Sequence, residues 1–171
     1  MRAWRWAILM GLVTALPGGA EGQQRMHPTA VITMEKGGEI RIELYSEDAP
    51  KTVESFVTLS KKGFYDGLTF HRIVPGFVAQ GGDPKGDGTG GPGYTLKAEF
   101  NKRKHVRGTV AMARSQSPDS AGSQFYICFA PATHLDNNYT VFGQVMSGMD
   151  VVDRLKAGDK MRTVKIEEPK P

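Results

Sequence analysis

The chain of 171 residues has one cysteine, Cys128. One thiol forms no internal disulfide and no CxxC redox pair, so the core must stabilise the fold alone in any compartment. Cys128 ends the apolar run Phe125-Tyr126-Ile127, which predicts a buried, inert thiol. The four histidines, at 27, 71, 105 and 134, have no HExxH or similar spacing, so no metal is expected. Long hydrophobic runs are missing too. The stretch from Trp6 to Leu16 has 11 residues, broken by Gly11 and Thr14, whereas a membrane-spanning helix needs about 20. Charge of one sign is scarce: 22 basic and 18 acidic residues give +4, too little to point to nucleic acid. There is no internal repeat, no heptad pattern and no interdomain linker.

What is present begins with a leader pattern. Arg2 and Arg5 precede the apolar run, and Pro17-Gly18-Gly19-Ala20 supplies a break and small residues before a cut after Ala20 or Gly22. Residues 1–22 therefore read as a secretory signal, with an uncleaved anchor as the alternative. Residues 23–28 read as a linker and 29–168 as one domain. The expected location is exported: periplasmic or secreted.

Within that domain, 21 glycines and 10 prolines in the whole chain favour many short strands over a helical bundle. Thr29 to Met34 is β-branched and apolar, and Glu39 to Leu44 alternates strictly, with the hairpin signal Lys36-Gly37-Gly38 between them. Further strands are expected at 68–73, 77–80, 109–113, 123–129, 141–146 and 162–167. A helix is expected from Pro50, with Val53, Phe56, Val57 and Ser60 at helical spacing and Gly63 as its stop. A second, shorter helix fits 148–156. Eight strands and two helices suit a closed antiparallel barrel, because closure removes exposed edges, with the helices plugging its mouths.

The block Phe70-His71-Arg72-Ile73-Val74-Pro75-Gly76-Phe77-Val78-Ala79-Gln80-Gly81-Gly82-Asp83 puts a permanent cation and an amide on two short strands around a Pro-Gly turn. In Gln124-Phe125-Tyr126-Ile127, alternation sends Phe125 and Ile127 to the core and Gln124 and Tyr126 outward, where a peptide could lie. Both blocks resemble the cyclophilins, the peptidyl-prolyl cis–trans isomerases, over roughly residues 29 to 167. The resemblance implies a mainly β, eight-stranded antiparallel barrel capped by two α-helices. It implies an enzyme that speeds rotation about Xaa-Pro bonds in proline-containing unfolded or exported polypeptides, as a monomer without cofactor, metal or nucleic acid. A non-catalytic module that binds proline peptides as a chaperone is the alternative.

The chemistry suits arginine. A peptide bond resists rotation by about 18–20 kcal/mol. Half-way through, the nitrogen gains a lone pair, and a donor aimed at it binds the twisted state better than either planar state. Arginine is always charged, only donates and has a rigid fork. By resemblance Arg72 is the catalytic arginine, Gln80 orders the peptide backbone, and His71 belongs with them to the catalytic set, where it could polarise water or act as a general base. A histidine there is read as bonded to backbone and orienting its neighbours. Phe77, Val78, Tyr126 and Leu135 would line the proline pocket, with His71, Ala113 and Gln124 around it and Gly88 in the adjoining loop. His134 and Tyr139 belong to the matching segment from Thr133 to Gly143.

Some positions depart from the best-known family pattern. Val78 replaces methionine, Tyr126 phenylalanine, His134 tryptophan and Tyr139 histidine, while Arg114 and Ser115 replace asparagine and alanine. The Tyr126 hydroxyl must stay solvated or find a partner. The missing tryptophan implies weak cyclosporin inhibition. Other motifs have plainer readings. Gly86-Asp87-Gly88-Thr89-Gly90-Gly91 fits GxGxxG, but Pro92-Gly93 follows and no helix opens to hold a pyrophosphate. Lys102-Arg103-Lys104-His105 with Arg107 reads as a solvated basic loop. The sequon Asn138-Tyr139-Thr140 would place a glycan in the groove and is read as chance.

Overall fold

The computed structural model describes residues 27–169, so the expected leader at 1–22 lies outside the described residues. The strands are β1 (Thr29–Met34), β2 (Glu39–Leu44), β3 (Thr69–Phe70), β4 (Arg72–Val74), β5 (Val78–Gly81), β6 (Thr109–Met112), β7 (Phe125–Cys128), β8 (Val141–Ser147) and β9 (Asp159–Glu167). Helix α1 covers Pro50–Lys61, α2 covers Met149–Asp153, and two short 3₁₀ turns cover Pro118–Ser120 and Thr133–Leu135.

All nine strands form one sheet in the order β3-β9-β1-β2-β8-β6-β7-β5-β4. Its two end strands, β3 and β4, are separated in sequence by His71 alone. The chain thus passes directly from one edge of the sheet to the other, which closes the barrel. The count of eight is corrected to nine for this reason. The expected strand over 68–73 breaks at His71, and its halves pair with different partners, β3 with β9 and β4 with β5.

Alternation places the core. Ile40, Ile42 and Leu44 of β2 are fully buried, as are Phe125 and Ile127 of β7. Helix α1 sends Val53 and Phe56 into this core, where the Phe56 ring meets Tyr65, Phe125 and Phe142 at centroid distances of 5.0, 5.6 and 5.3 Å. Pro50 sits at the start of α1, and Gly63, at φ +72°, takes the left-handed stop just beyond it. Ala49, at the N-cap, has no side chain able to cap. Glu99, remote in sequence, serves instead: its carboxylate accepts from the backbone N–H of Lys51 and Thr52 (3.0 and 2.8 Å) and from the Thr52 hydroxyl (2.7 Å). Helix α2 is shorter than expected and buries Val152.

The basic segment is the exposed loop its composition suggests at Lys102, Lys104 and Arg107, but it is not free of partners. Arg103 pairs with Asp48, Lys104 with Asp136 and Arg107 with Asp153, at 2.9, 3.3 and 2.7 Å. His105 is fully buried. The correction is topological, because these acids come from three distant stretches that pattern reading cannot bring together.

Candidate active site

Strand register builds the site. Arg72 pairs with Gln80 across β4 and β5, Gln80 with Tyr126 across β5 and β7, and Tyr126 with Ala111 across β7 and β6. Partners in an antiparallel ladder share a face, so these four residues form one row on the outer wall of the barrel. Val78, two residues before Gln80, shares that face. Above it lies a second apolar cluster, containing Val78, Ala111, Tyr126, Cys128, Ala132 and Val141, with Phe77, Ala113, Leu135 and Tyr139 packed against it.

Where this cluster stays open it leaves a notch of about 160 Å³. Its lining comprises Arg72, Phe77, Val78, Gln80, Ala113, Arg114, Tyr126, Leu135 and Tyr139. A neighbouring hollow of about 390 Å³ shares Gln80, Ala113 and Arg114 with the notch and adds Gly88, Ser115 and Gln124. The two adjoin along the Gln80–Arg114 side, forming one groove with a smaller and a larger end.

A relay of side-chain bonds crosses the groove. Arg72 Nη1 donates to Gln80 Oε1 at 3.3 Å, and Gln80 Nε2 donates to Gln124 Oε1 at 2.9 Å. Gln124 Nε2 in turn donates to the carbonyls of Gly88 and Gly90, at 3.0 and 2.9 Å. The opposite end of the glycine loop is held by buried Asp83, which accepts from the backbone N–H of Lys85, Asp87 and Gly88. Gly82 begins this loop at φ +82°, where a Cβ would lie 2.5 Å from the Ser123 carbonyl oxygen, so only glycine fits. The GxGxxG match therefore belongs to a loop pinned by a carboxylate and an amide.

Arg72 is exposed and makes no ion pair among the described residues. Its single bond to Gln80 leaves further donors of the fork free at the mouth of the notch. Arg114 is spent on structure. It donates to the carbonyls of Asn138, Ser115 and Gln116, and its guanidinium lies 4.6 Å from the centroid of the Tyr139 ring. His134 is exposed and stacks on Phe77, with centroids 5.5 Å apart.

Two expectations need correction. Tyr126 faces away from the main core, as alternation requires, yet it is only 5% exposed because the second cluster covers it. Its hydroxyl meets His105 Nε2 at 3.0 Å. His71 does not bond to backbone: both ring nitrogens are buried without a hydrogen-bond partner. It lines neither the notch nor the hollow, sitting instead at the seam of the barrel. Burial holds its pKa below the ordinary 6.5, and Arg72 pushes the same way against Asp83. Cys128 is buried as expected, and desolvation pushes its thiol up to about 12. His105, Asp136 and Gly90 were invisible as site components, since each acts through a residue remote in sequence.

Comparison with known proteins gives the same outline. The family model described as cyclophilin type peptidyl-prolyl cis-trans isomerase/CLD matches residues 29–170. A peptidyl-prolyl cis-trans isomerase of Helicobacter pylori is 48% identical over 147 residues, covering 83% of this chain and 90% of its own. Peptidyl-prolyl cis-trans isomerase B of Bacillus subtilis is 49% identical over 141 residues, covering 81% and 98%. Among solved structures, a Cryptosporidium parvum cyclophilin type isomerase crystallised in the presence of the dipeptide Ala-Pro superimposes with a TM-score of 0.74 at 29% identity, covering 82% of this chain and 99% of that one. Barrel, groove and sequence together place the chain in the cyclophilin family of peptidyl-prolyl cis–trans isomerases.

Proposed function

We propose that a proline ring enters the 160 Å³ notch and that the Arg72 guanidinium donates to the proline nitrogen as its amide bond twists. The observation that carries this reading is the free side of the Arg72 fork at the mouth of an apolar recess. Gln80, held on one side by Arg72 and on the other by Gln124, is placed to bond the peptide backbone and fix the bond to be turned. Phe77, Val78, Tyr126 and Leu135 supply the apolar contacts for the ring, and the Gly88–Gly90 loop with Gln124 borders the residues before it. The mechanism takes no proton from the substrate and forms no covalent bond. It works by binding the twisted amide more tightly than either planar form. The presence of Ala-Pro in the Cryptosporidium crystal supports a proline-containing ligand here.

The clients on this reading are unfolded polypeptides outside the cytoplasm, supported by the basic start and apolar run of residues 1–22. Sequencing the amino terminus of the protein recovered from its native cells tests export. A start near residue 21 or 23 supports it, and an intact Met1 argues against cleavage.

Arg72→Ala tests the mechanism. A preorganised donor of this kind contributes about 2.7–4 kcal/mol, so kcat/KM for an Xaa-Pro peptide should fall roughly 100-fold or more. Thermal stability should stay near wild type, since Arg72 is exposed and unpaired by any described acid. A variant that isomerises at the wild-type rate removes Arg72 from the mechanism.

A further inference from the structure

We propose that His105 and Asp136 are positioning residues for the isomerisation site, setting the fit of the proline ring through Tyr126 and the turn that carries Leu135. The proposal rests on the reading that the notch receives proline. His105 is not itself part of the notch lining, but it meets Tyr126 and joins the two sides of the recess. On one side its Nε2 meets the Tyr126 hydroxyl at 3.0 Å, and the two rings lie nearly parallel, 18° apart. On the other, Asp136 Oδ1 accepts from both the His105 backbone N–H (2.8 Å) and Nδ1 (3.0 Å), while the His105 carbonyl accepts from the Ala132 N–H (2.9 Å). Asp136 directly follows the 3₁₀ turn Thr133–Leu135, and Leu135 is a wall of the notch. Floor and wall are therefore tied to one fully buried side chain.

The protons in this chain have one consistent arrangement. Asp136 is held ionised, chiefly by the His105 backbone N–H, and an ionised carboxylate only accepts. Nδ1 of His105 must then carry the hydrogen. Burial outweighs the pull of Asp136 and keeps the imidazole neutral, so Nε2 is an acceptor. The Tyr126 hydroxyl donates to it, with its hydrogen turned away from the recess. Tyr126 thus offers the substrate an aromatic face while its polar tip is satisfied behind the wall. The other ionisable groups bearing on His105 and its partners are Lys104 through Asp136, Cys128, Tyr139 and Arg114 through Tyr126, and His134 across the turn.

The test measures Kd for a short Ala-Pro peptide by NMR titration, together with kcat, for wild type, H105Q, Y126F and the double variant. Loss of the tie leaves a buried hydroxyl unpaired and the floor misplaced, so H105Q should weaken binding about five- to twentyfold. Its kcat should stay within about twofold, because ground state and twisted state lose the same contact. In the Y126F background no hydroxyl remains to be held, and H105Q should cost no more than about twofold. Equal losses in both backgrounds, or wild-type binding by H105Q, would overturn the proposal. Should H105Q fail to fold, D136N replaces it. Its amide oxygen still accepts from the backbone, but the charge fixing the Nδ1 hydrogen is gone, and the same background dependence is expected. Peptide titration that moves no Tyr126 resonance in wild type would instead sink the notch reading itself. A wild-type rate in R72A would remove only the arginine mechanism.

Discussion

At the scale of single residues, the site divides into one group left free and several that are committed. Arg72 keeps donors unused, whereas Arg114, equally charged and close by, spends its fork on three backbone carbonyls and the Tyr139 ring. Two guanidiniums in one groove thus have different work, and the difference lies in their neighbours. His71 adjoins Arg72 in sequence but sits behind it, neutral and without a hydrogen-bond partner. It lines no part of the notch, so it is not placed to reach the twisted amide. With arginine as the only acting group, kcat should be flat between about pH 6 and 9, because arginine stays protonated throughout. A step in kcat near the ordinary histidine value of 6.5, read in a protease-coupled peptide assay, would bring a histidine into the mechanism.

At the scale of elements, the strands were legible and the caps were not. The bounds of β1 and β2 follow from β-branching and alternation, and the start of α1 from Pro50. Local sequence does not reveal what satisfies the first N–H groups of α1, because Glu99 arrives from beyond the glycine loop. Glu99 also donates its own backbone N–H to the Thr140 hydroxyl at 3.0 Å, so it links the helix to the segment entering β8. Glu99→Ala should therefore cost about 1–2 kcal/mol. In a chain of this size Tm should fall by roughly 2–8 °C in a thermal melt. An unchanged Tm would show that water caps the helix as well as Glu99 does.

At the scale of the whole molecule, pairing of β5 with β7 and of β7 with β6 extends the local Arg72–Gln80 hairpin pair into the row Arg72–Gln80–Tyr126–Ala111, while the step at His71 carries the chain from one edge of the sheet to the other. Burial also sets the response to acid. The folded-state pKa values of His71 and His105 lie below 6.5, mainly through desolvation. As pH falls below about 6.5 the unfolded chain takes up protons that the folded chain resists, so stability declines toward the folded-state values. Asp136, Asp153 and Asp159 act in the same direction lower down. Their pKa values are depressed below 3.8 by hydrogen bonds, first from the His105 backbone, from Arg107 and from Lys36 respectively, so their contribution is lost below that point. Denaturant melts from pH 7.5 to 3 should show a midpoint that begins to drop near pH 6.5, and H105Q should flatten part of that first decline. The sequence by itself determined the strands, the long helix and the Arg72–Gln80 pairing, because alternation, turn residues and a two-strand hairpin act over a few residues. It also carried the family likeness in two contiguous blocks. Only the tertiary structure decided that β3 and β4 are the two ends of one sheet, that His71 lies at their seam, and that His105 stands behind Tyr126. Those facts depend on which distant segments are pressed together when the barrel closes, and burial, pairing and protonation follow from that meeting.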